Sequence, residues 1–129
     1  MNKLLIAVLT LVFALPAAAN PIQDSYRAAA KQENPGFRDF SADRGQVFYN
    51  AKSGDLACAS CHGNSPKSRG KHTKTGNDIQ PMAPSANAQR LSDAAKVEKW
   101  FQRNCKDVLS RACSAQEKGD FIAYLLSVK

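Results

Sequence analysis

The stretch Cys58-Ala59-Ser60-Cys61-His62 determines how the rest of the chain is interpreted. Two thiols separated by two residues, followed at once by an imidazole, form the pattern that attaches a c-type haem. Each cysteine adds to one vinyl group of the porphyrin, and the adjacent histidine gives one face of the iron a nitrogen ligand. The motif therefore predicts one covalently bound haem c, held by Cys58, Cys61 and His62.

Two other kinds of site use the same cysteine spacing. A thioredoxin-like redox pair belongs to a βαβ pattern, which the sequence does not show. A zinc site usually needs a second ligand pair at close spacing, and Cys105 and Cys113 are too far apart to form one. Haem attachment is therefore the preferred interpretation.

The first residues have the pattern of a secretory signal. Lys3 gives a positive start, an apolar run covers Leu4 to Leu15, and Pro16 to Ala19 form a small-residue cleavage region. The apolar run is short for a membrane span, and no second candidate follows. We expect cleavage after Ala19, which leaves one soluble periplasmic domain over residues 20–129 without a membrane span.

The chain is basic, with a formal net charge of +7 that falls to +6 when Lys3 is removed with the signal. A positive surface favours association with acidic partners. Basic residues are scattered, and an exported haem protein seldom meets nucleic acid, so nucleic-acid binding is not expected. One cluster follows the haem motif, and we interpret it as a solvated face near the haem edge; it comprises Lys67, Arg69, Lys71 and Lys74.

Apolar spacing and capping residues predict four helical segments. They run from Ile22 to Glu33, from a Ser41 cap to about Ala51, from a Ser92-Asp93 cap to about Cys105, and from a Ser114–Glu117 capping box to the last residues. The Gly-, Pro- and Ser-rich sequence from Gly63 to Leu91 predicts a long loop around the haem. No strand pattern is convincing, so the predicted fold class is all-α.

The last helix is expected to cross the helix that contains Gly45 and Phe48. A glycine followed by an aromatic residue three positions later allows a second helix to approach closely. An apolar stripe on the last helix would face this crossing, and it consists of Phe121, Tyr124, Leu125 and Val128.

The second axial position of the iron has four candidate occupants. Met82, in a loop flanked by prolines, would give a conventional electron-transfer cytochrome. His72 lies among lysines and is expected to be exposed to solvent. Asn104 continues a stripe at helical spacing, which places an amide beside the apolar residues Val97, Trp100 and Phe101. The fourth alternative is water or no ligand, and spacing alone leaves all four open.

Three stretches support a resemblance to a known family. They are Gly76-Asn77-Asp78-Ile79-Gln80-Pro81-Met82-Ala83-Pro84-Ser85-Ala86, Val97-Glu98-Lys99-Trp100, and Arg103-Asn104-Cys105 with its partner Cys113. With them, the sequence from about Arg44 to Leu126 resembles the sphaeroides haem protein (SHP) family of exported monohaem cytochromes c. The resemblance implies a class I cytochrome c fold, a disulfide between Cys105 and Cys113, and Asn104 as the sixth ligand of the iron.

The resemblance also implies a function. Asn104 would leave the iron on reduction, so that ferrous haem binds O2, NO or CO in a pocket predicted to include Ile79, Trp100 and Phe101. The expected electron donor is a dihaem or other c-type cytochrome. Met82 departs from the family pattern, which keeps open a conventional electron shuttle with Met82 or His72 as a permanent ligand. Peroxidase-like catalysis, or reduction of oxygen or nitric oxide as a side activity, stays an alternative because an open ferrous haem is reactive. The sequence identifies no acid–base residue for such catalysis, so an enzyme is not the preferred interpretation.

Overall fold

The computed structural model describes residues 20–129. The predicted signal, residues 1–19, lies outside the described residues. Within residues 20–129, no helix has the length and apolar character needed to cross a membrane.

The described chain is built from short helices with one very small β-ladder. The helices are α1 (Pro21–Ser25), α2 (Arg27–Glu33), α3 (Ala42–Asn50), α4 (Cys58–His62), α5 (Ala94–Leu109) and α6 (Ala115–Ser127), and the strands are β1 (Gly70–Lys71) and β2 (Asp78–Ile79). The predicted all-α class is confirmed, because the strands contribute only two residues each.

The single helix predicted from Ile22 to Glu33 is wrong in one respect, since the structure divides it at Tyr26. The Asn20 side chain caps α1 by accepting from the backbone of Ile22 and Gln23. The Tyr26 N–H donates to the carbonyl of Gln23, three residues back, at 3.1 Å. This tighter turn separates α1 from α2, and side-chain spacing does not distinguish such a turn from continuous helix.

Helix α3 crosses α6 at Gly45, as predicted. The hydroxyl of Ser41 caps α3 by accepting from the Arg44 N–H at 3.2 Å. A Cβ added to Gly45 would overlap the backbone carbonyl of Asp120 and lie 2.8 Å from the Cβ of Tyr124. Only glycine therefore lets these two helices approach so closely.

The side chain of Asp120 joins the same two helices. It is a buried carboxylate that accepts from the Ser41 N–H at 2.7 Å and from Nε and Nη2 of Arg44 at 2.8 Å. These contacts compensate for removing the charge from water. They fix the start of α3 against the middle of α6.

Helix α6 begins with the predicted capping box. The Ser114 hydroxyl accepts from the Glu117 N–H, and the Glu117 carboxylate accepts from the Ser114 N–H. The predicted stripe lies in the interior, with Val128 half-buried at its end. Four further residues of α6 are buried outside that stripe, and they are Ala115, Gly119, Asp120 and Ile122. The core is thus centred on α6.

Helix α5 extends one turn beyond the predicted end near Cys105. Asp93 caps its start by accepting from the Lys96 N–H, and Ser110 ends it in the left-handed conformation with φ 58°. The sequence contains no helix breaker before that serine, so the boundary was placed too early. Cys105 therefore lies inside the helix, and the structure joins it to Cys113 with the Cα atoms 5.7 Å apart.

The predicted loop from Gly63 to Leu91 contains the two strands. Gly70 pairs with Ile79 and Lys71 with Asp78 in antiparallel register. Two-residue strands are too short to show an alternating pattern, so no sequence signal predicts them. The carbonyl of Pro66 accepts from the N–H groups of Met82 and Ala83, which ties the later part of the loop to its beginning.

Candidate haem-binding site

A cavity of about 680 Å³ lies between α4, the loop, α5 and α6. It brings together every residue that the sequence analysis assigned to the haem or its iron. These residues are Cys58, Cys61, His62, His72, Met82 and Asn104.

Helix α4 presents the haem motif to this cavity. It ends at Gly63, whose φ of 81° is readily adopted only by glycine. The hydroxyl of Tyr49, on α3, donates to the Gly63 carbonyl at 2.6 Å. On the other side, Gly70 lies so close to the Cys61 carbonyl that a Cβ would overlap it. The motif is therefore held between α3 and β1.

Burial sets the protonation states of the motif. Removal from water lowers the pKa of His62 to about 4, and the positive charge of Arg90 acts in the same direction. The imidazole is therefore neutral at pH 7 and has a lone pair to offer a metal. Burial also raises the pKa of the Cys58 thiol to about 11.

The rest of the cavity wall is mainly apolar. The predicted pocket residues Ile79, Trp100 and Phe101 all line it, as do Phe121 and Leu125 from α6. A porphyrin needs such a slot for its macrocycle, two thiols for its vinyl groups and an imidazole for its iron. The residues present fit haem c. Within residues 20–129, no group of three or more His, Cys, Asp or Glu side chains is arranged to hold a metal ion.

The side chain of Asn104 faces the cavity from the interior of α5. Helix α5 continues beyond Asn104 to Leu109, so Asn104 is not at the end of the helix. The stripe that leads to it is confirmed, since Val97, Trp100 and Phe101 line the same cavity. Among the described residues, the Asn104 amide makes no hydrogen bond, so its oxygen and nitrogen remain available to a ligand in the cavity.

His72 was expected to be exposed to solvent, and the structure instead places it at the cavity with its side chain half-buried. Its Nδ1 accepts from the backbone N–H groups of Lys74 at 3.3 Å and Thr75 at 3.2 Å. An Nδ1 that accepts hydrogen bonds leaves the proton of the neutral ring on Nε2. In this tautomer neither nitrogen offers a free lone pair to iron.

Met82 also reaches the cavity. It lines the cavity from the long loop, whereas Asn104 lines it from α5. The Met82 backbone is fixed by the Pro66 carbonyl at 2.8 Å, and its half-buried side chain packs against the hydrophobic core. It remains the alternative ligand, supplied by the loop rather than by α5.

The four cations of the predicted basic face are exposed, but only one lines the cavity. Lys67 donates to the carbonyl of Lys129, and Lys71 lies 3.9 Å from Asp78. Lys74 is the member that lines the cavity, and the sequence analysis missed two further cations there, Arg90 and Arg103. Arg103 stands in the Arg103-Asn104-Cys105 stretch, but the stretch does not indicate that its charge reaches the cavity, and Arg90 belongs to no motif.

Residues 35–125 match a family described as a domain of unknown function, DUF1924. The chain is 40% identical over 135 residues to cytochrome c'' of Methylophilus methylotrophus. This alignment covers 97% of this chain and 94% of that protein. It is 36% identical over 123 residues to the cytochrome c-type protein SHP of Cereibacter sphaeroides. This second alignment covers 92% of this chain and 94% of that protein.

Solved structures of both relatives share the fold. Oxidised cytochrome c'' superposes with a TM-score of 0.76 at 40% identity, over 84% of this chain and 92% of that one. Oxidised SHP, described as an oxygen-binding cytochrome c, superposes with a TM-score of 0.70 at 37% identity. The match covers 81% of this chain and 91% of the SHP chain. A solution structure of cytochrome c'', described as giving insights into the structural basis of haem-ligand detachment, superposes with a TM-score of 0.74 at 40% identity. The match covers 82% of this chain and 90% of the cytochrome c'' chain.

Proposed function

The chain belongs to the DUF1924 family and is a relative of the c-type cytochromes c'' and SHP, and from this we propose that it binds diatomic gases under redox control. It carries a single covalently attached haem c, as its relatives do. In our proposal Cys58 and Cys61 form the thioether links and His62 is the permanent axial ligand. Asn104 is the second axial ligand in the oxidised protein only.

The observation that carries this proposal is the position of the Asn104 amide. It lines the haem cavity from α5 and has no hydrogen-bond partner among residues 20–129. His72 is disfavoured, because its Nδ1 is occupied by two backbone N–H groups. The descriptions of SHP as oxygen-binding and of ligand detachment in cytochrome c'' agree with a ligand that leaves.

When bound, the haem supplies an iron that alternates between ferric and ferrous and accepts a ligand on the face opposite His62. The carboxamide of Asn104 is a weak, neutral donor, so it holds the more highly charged ferric iron better than the ferrous iron. Electron transfer can then move Asn104 from bound to free, provided that its free energy of binding differs between the two states. Its departure opens a position beside the apolar side chains of Trp100 and Phe101, which suits a small uncharged gas.

A conventional electron shuttle is the second candidate. It is favoured by one observation, that Met82 lines the same cavity and has its backbone anchored to Pro66. A thioether would stay bound in both oxidation states and raise the reduction potential. The two candidates therefore differ in the spin state and gas reactivity of the reduced protein.

The proposal includes an electron donor, which we place among dihaem or other c-type cytochromes with an acidic surface. Lys74 and Arg103 support it, since both are exposed and also line the cavity. Charges of this sign around the route to the haem would steer an acidic protein. The proposed site of action is the periplasm, where Cys105 and Cys113 can remain oxidised.

Replacement of the candidate ligands one at a time tests the proposal. In holoprotein, Asn104→Ala should convert low-spin ferric haem to a high-spin or water-bound form, as seen in the optical and electron paramagnetic resonance spectra. Met82→Leu and His72→Gln serve as matched controls and should keep the low-spin ferric spectrum. An unchanged ferric spectrum in Asn104→Ala together with a high-spin Met82→Leu protein would transfer the ligand role to Met82.

A further inference from the structure

We propose that Arg90 binds the haem carboxylates and that Trp100 holds its guanidinium group in position. Both residues line the haem cavity. Arg90 comes from the end of the long loop and Trp100 from α5, so their contact joins two walls of the site.

The guanidinium of Arg90 is held on one edge and one face. Its Nε donates to the Pro81 carbonyl at 2.9 Å, and its Nη2 donates to the Gln80 carbonyl at 3.0 Å. Its central carbon lies 4.4 Å from the ring centroid of Trp100, at cation–π distance. Within the described chain, Nη1 makes no hydrogen bond. The group is therefore oriented while part of its donor capacity is unused.

The charge of Arg90 lacks a protein counterion among residues 20–129, where no carboxylate lies within ion-pair distance of it. Asp107 also lines the cavity but forms no ion pair with Arg90. Arg90 is half-buried, so the cation is partly removed from water, and this burial lowers its pKa. A cation in this position is costly unless an anion joins it. Haem brings two carboxylates into this cavity, and a planar guanidinium is well suited to bind them.

The consequence is a positioning role for Arg90. Because Arg90 also donates to the carbonyls of Pro81 and Gln80, an ion pair between Arg90 and a haem carboxylate would connect this segment to the haem. A positive charge near the iron also stabilises the reduced state relative to the oxidised state. Arg90 should therefore raise the midpoint potential.

The test compares midpoint potentials of holoproteins in optical redox titrations at pH 7. Arg90→Leu should lower the potential clearly. Arg38→Leu removes the same charge from an exposed position that does not line the haem cavity, and it should have little effect. A shift for Arg90→Leu no larger than that for Arg38→Leu would overturn the proposal.

If the Arg90→Leu holoprotein cannot be produced, two further measurements still test whether Arg90 binds a haem carboxylate. Arg90→Lys keeps the charge but loses the planar fork, so it should lower the potential less than Arg90→Gln does. Equal potentials in wild type, Arg90→Lys and Arg90→Gln would refute the idea. A crystal structure of the wild-type holoprotein should show the guanidinium paired with a haem carboxylate, and a guanidinium turned away from both carboxylates would also refute it.

Discussion

Cys105 is bonded to Cys113, and this crosslink begins one residue after Asn104. The turn of α5 that carries the candidate ligand is thereby connected to the segment that leads into α6. Both cysteines are buried, at 6% and 7% exposure. The crosslink therefore restricts how far this turn of α5 can move.

Replacement of the disulfide should destabilise the holoprotein. For a Cys105→Ser, Cys113→Ser double variant, the chain entropy of so short a loop predicts a loss of about 2–3 kcal/mol in the free energy of unfolding. Denaturant unfolding followed by circular dichroism measures the loss. The wild-type protein treated with a reductant is the matched comparison, and equal stability of all three forms would show that the crosslink does not form in solution.

The helix crossing at Gly45 should not accept a side chain. We expect Gly45→Ala to destabilise the holoprotein by about 1–3 kcal/mol, because the new Cβ overlaps the Asp120 backbone and forces the helices apart. Val47→Ala, in the same helix at a 70% exposed position, should change stability by less than about 0.5 kcal/mol. Similar unfolding midpoints for the two variants would contradict the close crossing.

The buried carboxylate of Asp120 should also be sensitive. Asp120→Asn keeps the size of the side chain but removes the charge that accepts from Ser41 and Arg44. A loss of about 1–3 kcal/mol in the free energy of unfolding is expected. The control is Asp55→Asn, at an exposed position in a turn, which should leave the free energy of unfolding nearly unchanged. Equal losses of stability in the two variants would contradict a stabilising role for the contacts of Asp120 with Ser41 and Arg44.

The capping box of α6 should contribute to acid sensitivity. The ion pair with Arg111 lowers the pKa of Glu117, and the backbone of Ser114 acts in the same direction. A lowered pKa in the folded state gives stability that is present above the ordinary value of 4.5 and is lost as the pH falls below it. Glu117→Gln should therefore flatten the decline in stability between pH 6 and pH 3, and an acid profile identical to wild type would contradict this assignment.

The sequence predicted most of the fold because its main signals are local. The Ser41 cap, the Ser114–Glu117 capping box and the stripe ending in Asn104 are all visible within a few residues. The misplaced boundaries, at Tyr26 and beyond Cys105, depend on small changes in backbone turn rather than on side-chain spacing.

The site was harder to predict where it depends on distant residues. The spacing of Cys58, Cys61 and His62 is enough to identify the haem motif from the sequence. The tautomer of His72, by contrast, is set by backbone groups of a turn, and the place of Arg90 is set by contacts with Trp100 on another element. Such relationships appear only when the long loop is folded against α5.

The most direct test of the central claim is the spectrum of the dithionite-reduced holoprotein before and after exposure to carbon monoxide. If Asn104 binds ferric iron and leaves on reduction, the ferric protein should be low-spin, and the ferrous protein should be high-spin and bind carbon monoxide rapidly. A ferrous protein that stays low-spin and does not react with carbon monoxide would contradict the account and favour a permanent sixth ligand.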